Sequence, residues 1–132
     1  MKTLVTYYSK TGNTAEVAKK IAEELKADLD KIEFNETTNE VTFSKDIQQY
    51  DLIIIGTPVQ AFNLHPAIKK YLEMNKGNFG RIAFFCTYAL LIGNTFKTMK
   101  KLSKPSVSEL KIKSKNINSS EKEIKEFCWR MK

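Results

Sequence analysis

The sequence is poor in the residues that would announce a function outright. It has two cysteines in 132 residues, Cys86 and Cys128, in no paired spacing that would hold zinc or form a redox dithiol. It has one histidine, His65, with no acid/base partner visible in the sequence. Prolines number three and glycines five, which excludes collagen-like and Pro/Gly-rich disordered classes. No apolar run approaches the ~20 residues a membrane span needs; Leu52–Ile55 is far short of it. The opening MKTLVTYYSK is too short an apolar stretch for a secretory signal. The expectation is a soluble, cytoplasmic chain without membrane association, folded as a single domain over 1–132, with about two-thirds of its unfolded surface buried.

Negative charge is also missing, but only from one region. Residues 1–60 carry 7 Lys/Arg against 10 Asp/Glu, whereas residues 61–132 carry 15 against 5. The net charge is +7, and between Leu52 and Ser108 the single carboxylate is Glu73. Lys97, Lys100, Lys101, Lys104, Lys111, Lys113 and Lys115 follow in close succession. Such asymmetry suits an anionic ligand, an acidic protein or nucleic acid, and equally a solvated lysine face. No nucleic-acid motif accompanies it, so the expectation is that nucleic acid is not a partner.

What is present is an alternation of strand and helix patterns. Thr3–Tyr8 is β-branched and aromatic, a short buried strand. A helix follows over Thr14–Lys26, with Val17, Ala18, Ile21, Ala22 and Leu25 on one stripe. Leu29–Phe34 is a second strand, followed by a polar connection over Glu36–Asp46. Asp51–Gly56 (DLIIIG) is a strand covered on both faces. Pro66 opens the next helix, which buries Ile68, Tyr71 and Leu72. Arg81–Tyr88 is a central strand, and Phe96, Met99 and Leu102 mark a third helix that ends before Pro105. Leu110 and Ile112 alternate with Lys111 and Lys113, an edge strand guarded by charge. Ser120 and Glu123 form a capping-box pattern before a last helix with Ile124, Phe127, Cys128 and Met131 inward; Trp129 lies at its boundary. The order βαββαβαβα predicts an α/β fold: a doubly wound, three-layer sandwich around a five-stranded parallel sheet.

Ligands of such sheets bind beyond the carboxyl ends of the strands, where three loops converge. The first, Ser9, Lys10, Thr11, Gly12, Asn13 and Thr14, joins a strand to a helix N-terminus. Unpaired N–H groups and the positive end of the helix dipole favour an anion there. Three hydroxyls around a glycine suit a terminal phosphate, although the same residues could merely cap the helix. The loop is neither G-x-x-x-x-G-K-S/T nor G-x-G-x-x-G, which counts against nucleotide hydrolysis and an NAD pyrophosphate site.

YYSKTGNTAEVAKKIAEEL resembles the phosphate loop and first helix of the flavodoxin family, whose pattern is Ser/Thr-x-Thr-Gly-x-Ser/Thr. IIIGTPVQAFNLHPAIKKYL and FFCTYALLIGNTFKTMKKL extend the resemblance over nearly the whole chain, and the short-chain members are the closer match. The resemblance implies strand order 2-1-3-4-5, bound FMN, and an electron carrier rather than an enzyme. It implies that Ser9–Thr14 hold the FMN phosphate. Thr57, Pro58, Val59, Gln60, Ala61, Phe62 and Asn63 would then lie on one side of the ring, with Thr87, Tyr88, Ala89 and the residues to Gly93 on the other. Tyr88 is the stacking candidate, and no metal is implied. Two alternatives stay open: a small FMN-dependent NAD(P)H or quinone reductase, and a flavin-free interaction domain of the same fold.

The chain also departs from the family. Val59-Gln60-Ala61-Phe62 has no glycine, so a backbone flip into positive φ should be harder and the half-reduced flavin less stabilised. Typical members are acidic; the scarcity of carboxylates here implies a less negative second reduction potential. It also implies redox partner proteins with an acidic docking surface. A monomer is expected. His65 reads as a capping or surface residue, and Cys86 as a buried thiol. Leu90-Leu91-Ile92 reads as a shield for the ring edge, a docking patch or simple packing.

Overall fold

The computed structural model describes residues 1–132. Five parallel strands form the central sheet: β1 (Thr3–Tyr7), β2 (Asp28–Lys31), β5 (Leu52–Gln60), β7 (Arg81–Tyr88) and β8 (Glu109–Lys113). Their order is β2-β1-β5-β7-β8, which is 2-1-3-4-5 when only these five are counted. The doubly wound α/β sandwich expected from the alternation is therefore present.

Helices cover both faces. Val5, Leu52, Ile54, Ala83 and Phe85 face the cluster that holds α1 (Asn13–Leu25) and α4 (Glu121–Trp129). Leu4, Ile53, Ile55, Ile82 and Phe84 face the cluster that holds α2 (Pro66–Met74) and α3 (Thr95–Leu102). The isoleucine run in β5 thus divides between two cores, as the two-residue side-chain period requires. Lys111 on β8 is exposed between buried Leu110 and Ile112, the guarded edge read from the alternation. Gly56 is fixed by its neighbour across the ladder: a Cβ there would land in the ring of Phe85.

Three local expectations are corrected. The strand drawn over Leu29–Phe34 breaks at fully buried Ile32. Beyond it, β3 (Glu33–Asn35) turns back to pair antiparallel with β4 (Glu40–Thr42), Phe34 opposite Val41. The polar connection is thus a ribbon, closed by Asn35, whose side chain accepts from the backbone N–H of Thr37 and Thr38. Strand β5 does not stop at Gly56 but continues to Gln60 and folds back as β6 (Asn63–Leu64). The Ser120 capping box does not form. Ser120 sits at the end of a 3-10 turn (Ser114–Ser119), and its hydroxyl donates to the Ile117 carbonyl at 2.6 Å instead of capping α4.

Candidate functional site

The first of the three loops is a cluster of backbone donors. Ser9 reaches across it: its Oγ accepts from the N–H groups of Gly12 and Ala15, each at 3.1 Å. Gly12, at φ +97, makes the turn that aims the chain into α1. With Ser9 taking those two donors, the backbone N–H groups of Thr11, Asn13 and Thr14 have no acceptor within the chain. They lie at the positive end of a 13-residue helix, and the neighbouring side chain of Lys10 is exposed. Orphan donors at a helix start with a cation beside them fit a phosphate.

The hydroxyls divide differently from their sequence reading. Thr11 is exposed at the loop and free to donate to a ligand. Thr14 is buried, and its Oγ1 is 2.7 Å from that of Thr87. Asn13, half-buried, begins the helix. Ser9, not Thr14, is therefore the internal cap, and Thr14 ties the first loop to the third.

The second loop is the hairpin at the end of β5. Thr57 is fully buried; its hydroxyl donates to the Pro58 carbonyl at 2.8 Å and accepts from the His65 N–H at 3.0 Å. It therefore braces the hairpin's two ends. Pro58 and Val59 are half-buried, Val59 packing onto the α2 side of the core. Gln60 and Asn63 pair across the turn, and Asn63 also accepts from the Leu64 N–H. Ala61 and Phe62 form the tip with φ of +51 and +60. A two-residue turn with both φ positive is the I′ hairpin normally built from Asn-Gly. Without glycine, each such residue costs on the order of 1–2 kcal/mol. The absence of glycine therefore does not keep this backbone out of the left-handed region. Phe62 is 54% exposed at the rim.

The third loop leaves β7. Thr87 is buried, Tyr88 half-buried, and Ala89, Leu90 and Leu91 are exposed. Ile92 packs into the α2–α3 core, so of the three apolar residues only the two leucines face outward. Gly93, at φ +56, lies directly against Phe62. Tyr88 sits opposite Lys113 in the β7–β8 ladder. No carboxylate occurs in residues 8–15, 57–65 or 87–95, so the rim formed by these loops is neutral to positive.

Beside the first two loops lies a group that sequence reading did not assemble. His65 is buried and stacks on Tyr8 at a ring distance of 4.3 Å, with Phe34 edge-on to both. Its Nδ1 accepts from the Ala67 N–H and so caps α2. Burial first, and the Lys10 charge second, hold its pKa below the usual value, Glu36 partly opposing. Capping was within reach of the sequence, since His65 precedes a helix-opening Pro66; the stack was not. Burial pushes the Cys86 and Cys128 thiols up to about 12, so neither supplies a thiolate at neutral pH. No group of three or more metal-ligating side chains occurs, and no helix is long and apolar enough to cross a membrane.

Comparison with known proteins gives a consistent result. A family model described as "Flavodoxin domain" matches residues 4–124. No curated protein matches the sequence. Among solved structures, a flavoprotein in complex with FMN from Lactobacillus acidophilus is 25% identical, with a TM-score of 0.74 over 89% of this chain and 97% of that one. A flavodoxin, WrbA-like protein from Agrobacterium tumefaciens is 18% identical with a TM-score of 0.68, covering 96% of this chain and 94% of that one. A flavodoxin from the domain Archaea is 17% identical with a TM-score of 0.66 over 98% of each chain. The last two likenesses concern the fold alone.

Proposed function

The chain belongs to the flavodoxin-domain family, and from that premise we propose that it binds FMN non-covalently and carries electrons between larger redox enzymes. The observation that carries the proposal is the first loop, where three backbone N–H groups at the start of α1 lack any acceptor in the chain. Such donors match the several oxygens of a phosphomonoester without a metal. The likeness to a flavoprotein structure holding FMN supports the same ligand.

Bound FMN would supply one- and two-electron redox chemistry; the protein's part is to hold and screen it. Ser9 fixes the shape of the phosphate loop, while Thr11 and Lys10 add a hydroxyl donor and a cation. The β5–β6 hairpin and the Tyr88 loop would flank the ring, with Tyr88 and Phe62 as the aromatic faces on offer. Leu90 and Leu91, exposed in the third loop, would form an apolar contact for a partner. Lys10 and Lys113 lie on the same rim, so the partner's surface should be acidic. We read the protein as a carrier, not an enzyme, because the short loops add no segment to bind a second substrate.

A fluorescence titration of the apo protein with FMN and with riboflavin tests the reading. Tight 1:1 binding of FMN and much weaker binding of riboflavin is the expected result. Failure of the folded protein to bind FMN would remove it. The reductase alternative predicts turnover of NADPH with a quinone by the isolated holoprotein, which a carrier does not show.

A further inference from the structure

The left-handed turn at Ala61–Phe62 is exposed and contains no glycine, so something outside it must hold it. A strained backbone persists only where its surroundings over-determine it. On one side the hairpin supplies that support, through the Val59–Leu64 and Gln60–Asn63 pairs and the Thr57 brace. On the other side stands the end of the third loop. The Asn94 N–H donates to the Phe62 carbonyl at 2.9 Å. Gly93 comes so close beneath the turn that a Cβ there would meet the Phe62 carbonyl oxygen and stand 2.6 Å from the Phe62 Cβ. Gly93 itself has φ +56, so both its conformation and its missing side chain are needed. Asn94 is in turn anchored by the first bond of α3, the Thr98 N–H on its carbonyl at 2.8 Å, and Thr95 holds the Ile92 carbonyl.

We propose that Gly93 is a positioning residue. By lacking a Cβ, it lets the loop after β7 fasten beneath the β5–β6 turn, and with the Asn94–Phe62 bond this contact presets the spacing of the two loops. The functional half of the proposal rests on the flavin reading above: loops joined before the ligand arrives bind a planar ring with less ordering to be done. The Phe62 carbonyl is already committed to Asn94, so the turn cannot reorient that carbonyl without releasing the latch. This differs from the role of Ser9 and Thr11, which act on the phosphate alone.

The test has a ligand-free and a ligand-bound arm. Residue-resolved hydrogen exchange of the apo protein should show the Asn94 amide protected at least tenfold relative to an unbonded loop amide. Gly93→Ala should abolish that protection and weaken FMN and riboflavin by the same factor, on the order of tenfold, because the phosphate loop is untouched. Gly80→Ala, just before β7 and outside all three loops, where an added Cβ meets only ordinary contact at 3.8 Å, should retain both protection and affinity. An Asn94 amide that exchanges freely in the wild-type protein overturns the proposal, as does a Gly93→Ala protein with protection and flavin affinity intact. A wild-type protein that protects Asn94 yet binds neither flavin upholds the latch and removes the flavin reading instead.

Discussion

The hydroxyl oxygens of Thr14 and Thr87 lie 2.7 Å apart in the interior, joining residues 73 positions distant in sequence. One sits in the first turn of α1 and the other near the end of β7, so this single bond links the first loop to the loop carrying Tyr88. A bond of this kind contributes modestly to stability, but losing one partner strands the other in the core. Thr14→Val and Thr87→Val should each destabilise the apo protein by about 1–3 kcal/mol. The double variant should cost clearly less than the sum, since no orphaned hydroxyl remains. Urea unfolding of the four proteins closes the cycle; strict additivity would show that the two hydroxyls act independently.

The three-loop edge beyond the strands was partly legible because its chemistry is local. Ser9–Thr14 combine a strand end, a glycine and a helix start within six residues, and those features alone predict the unpaired backbone donors that the structure shows. The roles within the loop were not legible. Ser9 and Thr14 are both hydroxyl residues, and only the packing of α1 against β7 decides that Thr14 turns inward to Thr87. The β5–β6 hairpin was hidden for a different reason: Ala61-Phe62 lacks the turn chemistry that signals a two-residue hairpin, and its support comes from Gly93 and Asn94 some 30 residues later. The β3–β4 ribbon escaped for the reason that three-residue strands carry too little alternation to register as a period.

Gly56 makes a sharp stability prediction. Its Cα faces the ring of Phe85 on the adjacent strand, and both residues are buried in the core. Gly56→Ala should destabilise by about 1–3 kcal/mol through overpacking. Phe85→Leu in the same chain should relieve part of that cost, so the pair should be less damaging than the sum of the single changes. Thermal unfolding measures it; a neutral Gly56→Ala would mean that the Phe85 ring is not packed there.

The only histidine gives a clean pH prediction. Burial and Lys10 hold the His65 pKa below its ordinary 6.5, so the unfolded chain takes up this proton before the folded one does. His65 therefore leaves stability undiminished above pH ~6.5 and lowers it as pH falls through that value toward the folded pKa. Protonation would also take Nδ1 from the Ala67 N–H, opening the cap of α2. His65→Asn keeps a capping acceptor without the titration. Between pH 6.5 and 5.5 the wild-type thermal midpoint should fall more steeply than that of His65→Asn; parallel profiles would remove His65 as the cause.

The last prediction concerns charge. The site loops contain no carboxylate, and Lys10 stands in the phosphate loop itself. A phosphate dianion approaching a protein of net charge +7 gains long-range attraction that salt screens, the Debye length shrinking from about 30 Å at 0.01 M to about 3 Å at 1 M. FMN affinity should therefore fall over that range while riboflavin affinity holds steady, and Lys10→Glu should weaken FMN on the order of fivefold at low salt with little effect on riboflavin. Lys113, opposite Tyr88 in the ladder, would act at the ring end of the proposed site. Lys113→Glu should make the second reduction potential of the FMN-loaded protein more negative, because an added negative charge opposes a reduction that leaves the flavin anionic. Calorimetry at two salt concentrations and spectroelectrochemistry separate the two effects. If both lysines altered only phosphate binding, the positive rim would serve capture of the ligand and not its potential.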